Sequence, residues 1–155
     1  MKLENFADKQ PTLKIEEYFL GKTTASGLFI DRLGKVRRQF TVEMEGIQQE
    51  DNFILIETFL YDDGEEEFRR WEIKKTGEKT YEGTSEDIKG IALGERSGNA
   101  INWHYTLKLK YGDGIMNVKF DDWLIMQDEK NVFNKATMKK FGIRLGDVYL
   151  FFTKQ

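Results

Sequence analysis

Val36-Arg37-Arg38-Gln39-Phe40-Thr41-Val42-Glu43-Met44-Glu45 alternates without a break. Val36, Arg38, Phe40, Val42 and Met44 form one row, and Arg37, Gln39, Thr41, Glu43 and Glu45 the other. A period of two with one mostly apolar row describes a strand buried on one face. Ala100 to Tyr111 repeats the pattern, with Ile101, Trp103, Tyr105, Leu107 and Leu109 in one row and Asn102, His104, Thr106, Lys108 and Lys110 in the other.

Outward from these two strands, similar patterns fill the chain from Lys22 to Lys154. Turn signals separate them at Arg32-Leu33-Gly34-Lys35, Asp62-Asp63-Gly64, Thr76-Gly77-Glu78, Ser97-Gly98-Asn99 and Gly112-Asp113-Gly114. Phe53 to Tyr61 is apolar in both rows and so predicts a strand covered on its outer side as well. Asp147 to Lys154 reads the same way. In Glu66 to Lys75, Phe68, Arg70 and Glu72 lie opposite Arg69, Trp71 and Ile73. Thr80 to Ser85 and Ile88 to Glu95 are short and glycine-containing, as bent or edge strands are. Gly114 to Gln127 loses its alternation at Phe120-Asp121-Asp122-Trp123, where a β-bulge would restore it. Asn131 to Lys140 fits a strand better than a helix, being rich in β-formers and short. Pro11 to Leu20 predicts a helical turn, with Pro11 at its first position, Leu13, Ile15, Tyr18 and Phe19 as an apolar plug, and Gly21 as its end.

About ten short strands at this spacing predict an all-β fold, an antiparallel meander that closes into a barrel or sandwich, here taken as a single up-and-down barrel with a short N-terminal helical turn. The 155 residues fit one domain, 1–155, with residues 1–21 as the plug segment. A chain of this length buries roughly 68–70% of its unfolded surface, enough for a core without staples.

Composition removes whole classes of chemistry. Without cysteine there is no disulfide, thiolate nucleophile or Cys-ligated zinc, and one histidine excludes a His-rich metal site. No calcium-loop spacing, Walker motif, dinucleotide motif or Ser–His–Asp set occurs, so no metal and no cofactor is expected. The net charge of −3 comes from 24 basic and 27 acidic residues interspersed along the chain. No basic patch with interleaved aromatics points to nucleic acid. No transmembrane segment or basic amphipathic helix points to a membrane. Met1 to Phe6 begins no apolar stretch of signal-peptide length, which as written places the chain in the cytoplasm. If Met1 stands in place of a removed leader, that placement does not hold.

Two candidate sites stand out. His104, the lone histidine, shares its row with Lys108 and Lys110 and is expected at the surface. Asp121-Asp122 lies between Phe120 and Trp123. Burial beside a like charge would raise one pKa and create an acid–base group. The bland alternative is one aspartate buried against Arg70 or Arg96 as a fold-specifying pair. Arg69-Arg70-Trp71 also suggests an arginine stacked on tryptophan, bonded to an aspartate and closing a barrel end. The aromatic stripe of Phe40, Phe53, Phe59, Trp103, Tyr105, Phe120 and Trp123 is either packed core or cavity wall.

Several stretches together resemble a bacterial family of unknown function, usually short envelope lipoproteins with a lipocalin-like (calycin) barrel. They are Glu16-Glu17-Tyr18-Phe19-Leu20-Gly21, Gly27-Leu28-Phe29-Ile30-Asp31-Arg32-Leu33-Gly34, Glu57-Thr58-Phe59-Leu60-Tyr61-Asp62-Asp63-Gly64 and Arg70-Trp71. Gly98-Asn99-Ala100, Phe120-Asp121-Asp122-Trp123, Asn134-Lys135-Ala136 and Phe141-Gly142 continue the series. The resemblance implies a lipocalin-like barrel and an envelope location, and no known reaction. The lipid-bearing cysteine of such lipoproteins is absent, and Gly27-Leu28-Phe29 stands where true lipocalins carry Gly-x-Trp.

The leading expectation is a carrier or sensor holding a small apolar or amphipathic, lipid-like ligand. Phe40, Val42, Met44, Phe59, Trp103, Tyr105 and Leu107 would form the wall, with Arg70 and Asp122 as polar contacts. The alternatives are a scaffold or interaction module with a filled core, and an enzyme using Asp121 or Asp122 while Arg70 holds an anionic substrate.

Overall fold

The computed structural model describes residues 1–155. Ten strands follow one another: β1 Gly21–Asp31, β2 Val36–Gln49, β3 Asn52–Tyr61, β4 Glu66–Lys75, β5 Thr80–Thr84, β6 Ala92–Ser97, β7 Ala100–Tyr111, β8 Gly114–Met126, β9 Asn131–Lys140 and β10 Ile143–Lys154. Each pairs antiparallel with its sequence neighbours, and β1 closes on β10 from Thr23↔Lys154 to Asp31↔Gly146. Closure removes the sheet edges that would otherwise offer unpaired backbone to other chains.

The alternation read in the sequence sets the inside and the outside. Phe40, Val42 and Met44 of β2 point inward, as do Ile101, Trp103 and Leu107 of β7, and all are buried. Asn131–Lys140 is a strand, as its β-formers suggested.

The helical turn is a single one, α1 Ile15–Tyr18, so Pro11 lies ahead of it rather than at its first position. Leu13, Ile15, Tyr18 and Phe19 are all buried in the closed end. Phe19 meets Phe152 edge-on at 5.6 Å and Tyr18 at 4.9 Å. A preceding 3₁₀ turn, Leu3–Phe6, lies outside the wall, where the Phe6 ring reaches Trp123 at 5.9 Å.

Several local expectations are corrected. Pairing of β8 with β7 and β9 runs unbroken through Phe120-Asp121-Asp122-Trp123, so no bulge exists there. The apolar rhythm slips because Asp122 points inward and Trp123 outward, under Phe6. The register shifts lie instead at Phe29/Ile30 and Arg144/Gly146. The outer row of β3 is buried at Ile54 but open at Leu60, and that of β10 is open at Phe151. Leu60 and Phe151 stay about half exposed, and Phe151 is in register with the outward Phe133. Their apolar character is spent on neighbouring strands of the same sheet. The glycines of β5 and β6 are not an edge feature. A Cβ at Gly94 would stand 2.8 Å from the Trp103 ring, and one at Gly83 would stand 3.4 Å from Trp71. They make room for two indoles.

Because β5 and β6 are short, the far halves of β4 and β7 have no strand between them. Residues 85–91 cross this gap. Ile88 bridges Leu107, the Lys89 N–H donates to the Thr106 carbonyl at 2.9 Å, and the Lys108 N–H donates to the Asp87 carbonyl at 2.7 Å. This strap carries the Asp87 side chain to the barrel wall.

Candidate ligand cavity

Above the plug the interior is not filled. A cavity of about 330 Å³ remains, lined mainly by apolar side chains. Phe40 and Met44 of β2, Phe59 of β3 and Trp103, Tyr105 and Leu107 of β7 face it. Val42 is buried on the same inward row but does not reach the cavity. Tyr105 stacks on Phe120 at 5.1 Å and meets Trp71 edge-on at 5.6 Å, which holds these rings rigid.

Arg70 is the clear misplacement. Its side chain is 48% exposed on the outer wall, 3.7 Å from Glu72. Arg69 is the inward residue, sharing its row with Trp71 and Ile73. Its Nε–H donates to Asp87 Oδ2 at 2.8 Å, and its guanidinium lies 4.0 Å from Glu57 and 3.7 Å from Glu67. It also lies over the Phe59 ring, 5.1 Å from the centroid. Strand alternation alone puts Arg69 with Trp71 and Arg70 against both.

Asp121 and Asp122 diverge. Asp122 enters the cavity and Asp121 faces out, accepting a hydrogen bond from Asn102 at 2.8 Å, with His104 at 3.8 Å. His104 is exposed, as its row suggested. No arginine meets Asp122. The Tyr105 hydroxyl donates to its Oδ2 at 2.8 Å, and the Asn134 amide donates to its Oδ1 and, at 2.8 Å, to the Trp123 carbonyl. Arg96 is also absent from this cluster, donating to the Glu78 carbonyl at 3.2 Å. The pair therefore cannot act on one substrate, and Asp122 and Arg70 stand on opposite sides of the wall.

The second inward carboxyl, Glu57, is not marked by any functional motif in the sequence. It sits between Leu55 and Phe59 in the inward row of β3 and accepts from Trp71 Nε1–H at 2.9 Å. Its parity within FILIETFLY was the available signal. Asn134 likewise shares its parity with Val132 and Ala136.

Burial pushes Glu57 up to about 6, against the attraction of Arg69, with Asp122 across the barrel adding to the rise. Burial also pushes Asp122 up to about 6, against the hydrogen bonds from Tyr105 and Asn134. A carboxyl raised above its unfolded value binds its proton more tightly in the fold. Its favourable contribution is complete below the unfolded pKa and is lost as pH rises through about 6. Asp122→Asn keeps the shape and both contacts, since the Tyr105 hydroxyl can turn to accept from the new amide. The variant is expected to be more stable than wild type at pH 7.5 by on the order of 2 kcal/mol. The difference should vanish near pH 4 in urea titrations at the two pH values.

At the open end Arg38 lies 3.5 Å above the Tyr61 ring and bonds Asp63 at 3.2 Å and Glu65 at 2.8 Å. An arginine stacked on an aromatic ring does stand at a barrel end, but it is Arg38 on Tyr61. The inward residues contain no cluster of carboxylate and imidazole groups able to hold a metal ion.

A closed ten-stranded, lipocalin-like barrel with an internal cavity is thus the class of protein that fold and site define. The chain belongs to the family described as "Protein of unknown function (DUF3833)", whose profile matches residues 1–154. None of the curated proteins matches it significantly. Among solved structures it is similar to the S-type phycobiliprotein lyase CPES from Guillardia theta. That match has a TM-score of 0.68 at 9% identity, over 100% of this chain and 98% of that one. It is also similar to Rv2717c from M. tuberculosis, with a TM-score of 0.63 at 12% identity, over 96% of this chain and 99% of that one. At such identities the likeness is one of fold.

Proposed function

We propose that this protein is a carrier or sensor that holds one small, largely apolar molecule inside the barrel, its polar end toward Glu57 and Asp122. The observation that carries this reading is the cavity of about 330 Å³, apolar but for the polar groups around Arg69, Glu57 and Asp122 and for Arg38 at its mouth. That size falls within the range of small-molecule sites, at its lower end. A filled-core scaffold would leave no such space. Fold likeness to a lyase transfers no reaction to this chain.

The cluster also favours one kind of polar end. Arg69 is surrounded by Asp87, Glu57 and Glu67, and Arg38 is engaged by Asp63 and Glu65. No cation is left for a carboxylate ligand. Asp122 has only neutral partners. A protonated amine or another hydrogen-bond donor would complete this site, whereas an anion would meet uncompensated carboxylates.

Native mass spectrometry of protein purified without detergent, followed by denaturing extraction, should reveal a bound small molecule. Titration with decylamine, decanol and decanoate, read by the fluorescence of Trp71 and Trp103, should rank the amine first at pH 7.5 and decanoate last. An apo mass together with no response to all three compounds would sink the carrier reading. Equal binding of decanoate would retain the carrier and reject the amine preference.

A further inference from the structure

The two barrel ends differ in a way that no linear segment reveals. At the plugged end the β2–β3 turn carries Glu50 and Asp51, and the β8–β9 turn carries Asp128 and Glu129. At the open end the β1–β2 turn exposes Leu33, the β7–β8 hairpin exposes Tyr111 and Ile115, and the β9–β10 turn exposes Phe141 and Ile143. Leu33 and Phe141 are 83% and 89% exposed. These three hairpins are consecutive around the closed sheet, so the exposed side chains form one arc along the mouth.

Basic residues accompany the apolar tips. Arg32 and Lys35 flank Leu33, Lys110 precedes Tyr111, and Lys139 lies two residues before Phe141. All four are exposed, and none forms an ion pair, whereas Arg37 and Arg144 are held by Asp31 and Asp147. Large apolar side chains at turn tips gain nothing from water, and they stand among four free positive charges and one free carboxylate, Asp113. Reversible attachment to a bilayer needs this combination of shallow apolar insertion and attraction to anionic headgroups.

We infer that the open mouth docks on an anionic lipid surface through the β1–β2, β7–β8 and β9–β10 hairpins. An acidic protein partner would explain the charges, but five large apolar side chains on three separate tips form no groove or flat patch for it. The acidic β3–β4 turn, with Asp62, Asp63, Glu65 and Glu66, lies beyond the arc next to β2. The barrel therefore meets the surface tilted onto its β7-to-β2 side. Leu109, Met138 and Arg38 line the cavity just behind the tips, so a molecule leaving the lipid would pass straight into the barrel. Docking does not depend on the cavity being occupied.

Flotation with vesicles of phosphatidylcholine alone, or mixed with phosphatidylglycerol, tests this. The wild-type protein should float with the mixed vesicles, stay behind with the neutral ones, and be released as salt rises. Lys35→Gln and Lys139→Gln should each weaken partitioning about fivefold. Leu33→Ser with Phe141→Asn should abolish it while leaving the melting temperature unchanged. Asn suits position 141, where φ is +53°. Absence of flotation with mixed vesicles would overturn docking, as would flotation that survives the double substitution. An unchanged response to cavity probes in the double variant would support a docking surface separate from the cavity. A lost response would attribute the effect to the cavity and overturn the inference.

Discussion

Arg69→Met should be the most destabilising single change in the cavity wall, costing about 3–5 kcal/mol in urea unfolding at pH 7.5. Methionine fills much of the volume, so the loss is electrostatic. Asp87 would lose the 2.8 Å bond to its Oδ2, while its buried Oδ1 already has no partner. Glu57 would lose the attraction that opposes its burial, and its pKa would climb further above about 6. Protonation of Glu57 relieves that penalty. The destabilisation should therefore be smaller at pH 5 than at pH 7.5, because a raised carboxyl favours the fold below its pKa and loses that advantage above it. Arg70→Met, one residue away on the outer wall, should change stability by less than about 0.5 kcal/mol. Equal effects of the two variants would contradict the placement of Arg69.

Gly46→Ala is expected to unseat the N-terminal plug, at a cost of about 3 kcal/mol. The main chain of Phe19 crosses directly over Gly46. An added Cβ would overlap the Phe19 carbonyl and stand 2.6 Å from the Phe53 ring. Rotation of a side chain cannot relieve a clash with backbone. The plug must lift, breaking the Phe19–Phe152 and Tyr18–Phe19 contacts. Amide exchange should accelerate over residues 13–20 and much less in β7 and β8. Gly114→Ala is the control, since its nearest neighbour would be 3.7 Å away and its φ is not positive. It should leave stability within about 0.5 kcal/mol. A Gly46→Ala protein as stable as this control would show that the plug does not bear on Gly46.

The two substitutions illustrate what each level of description reveals. Alternation places Phe40, Met44, Trp103, Tyr105 and Leu107 inside, because a strand side chain has only two directions. The same rule holds for Arg69 and Glu57. A charged residue inside an apolar row is easily read as an exception rather than as an inward group, and so the sequence suggests pairing Arg70 with Asp122 across a wall that separates them. At Phe120-Asp121-Asp122-Trp123 the alternation never slipped. It only looked broken because an aspartate faces in and a tryptophan faces out.

By itself, then, the sequence determined the strand count, the antiparallel meander, the apolar wall and the apolar plug, since each rests on local periodicity and turn chemistry. Tertiary structure alone decided the rest. Contacts between residues far apart in the chain place Asp87 on Arg69, Asn134 on Asp122 and Phe6 on Trp123. Closure of β1 on β10 also gathers the tips of three separate hairpins into one arc around the mouth. Local pattern sets which way a side chain points, but only the closed sheet sets what it meets.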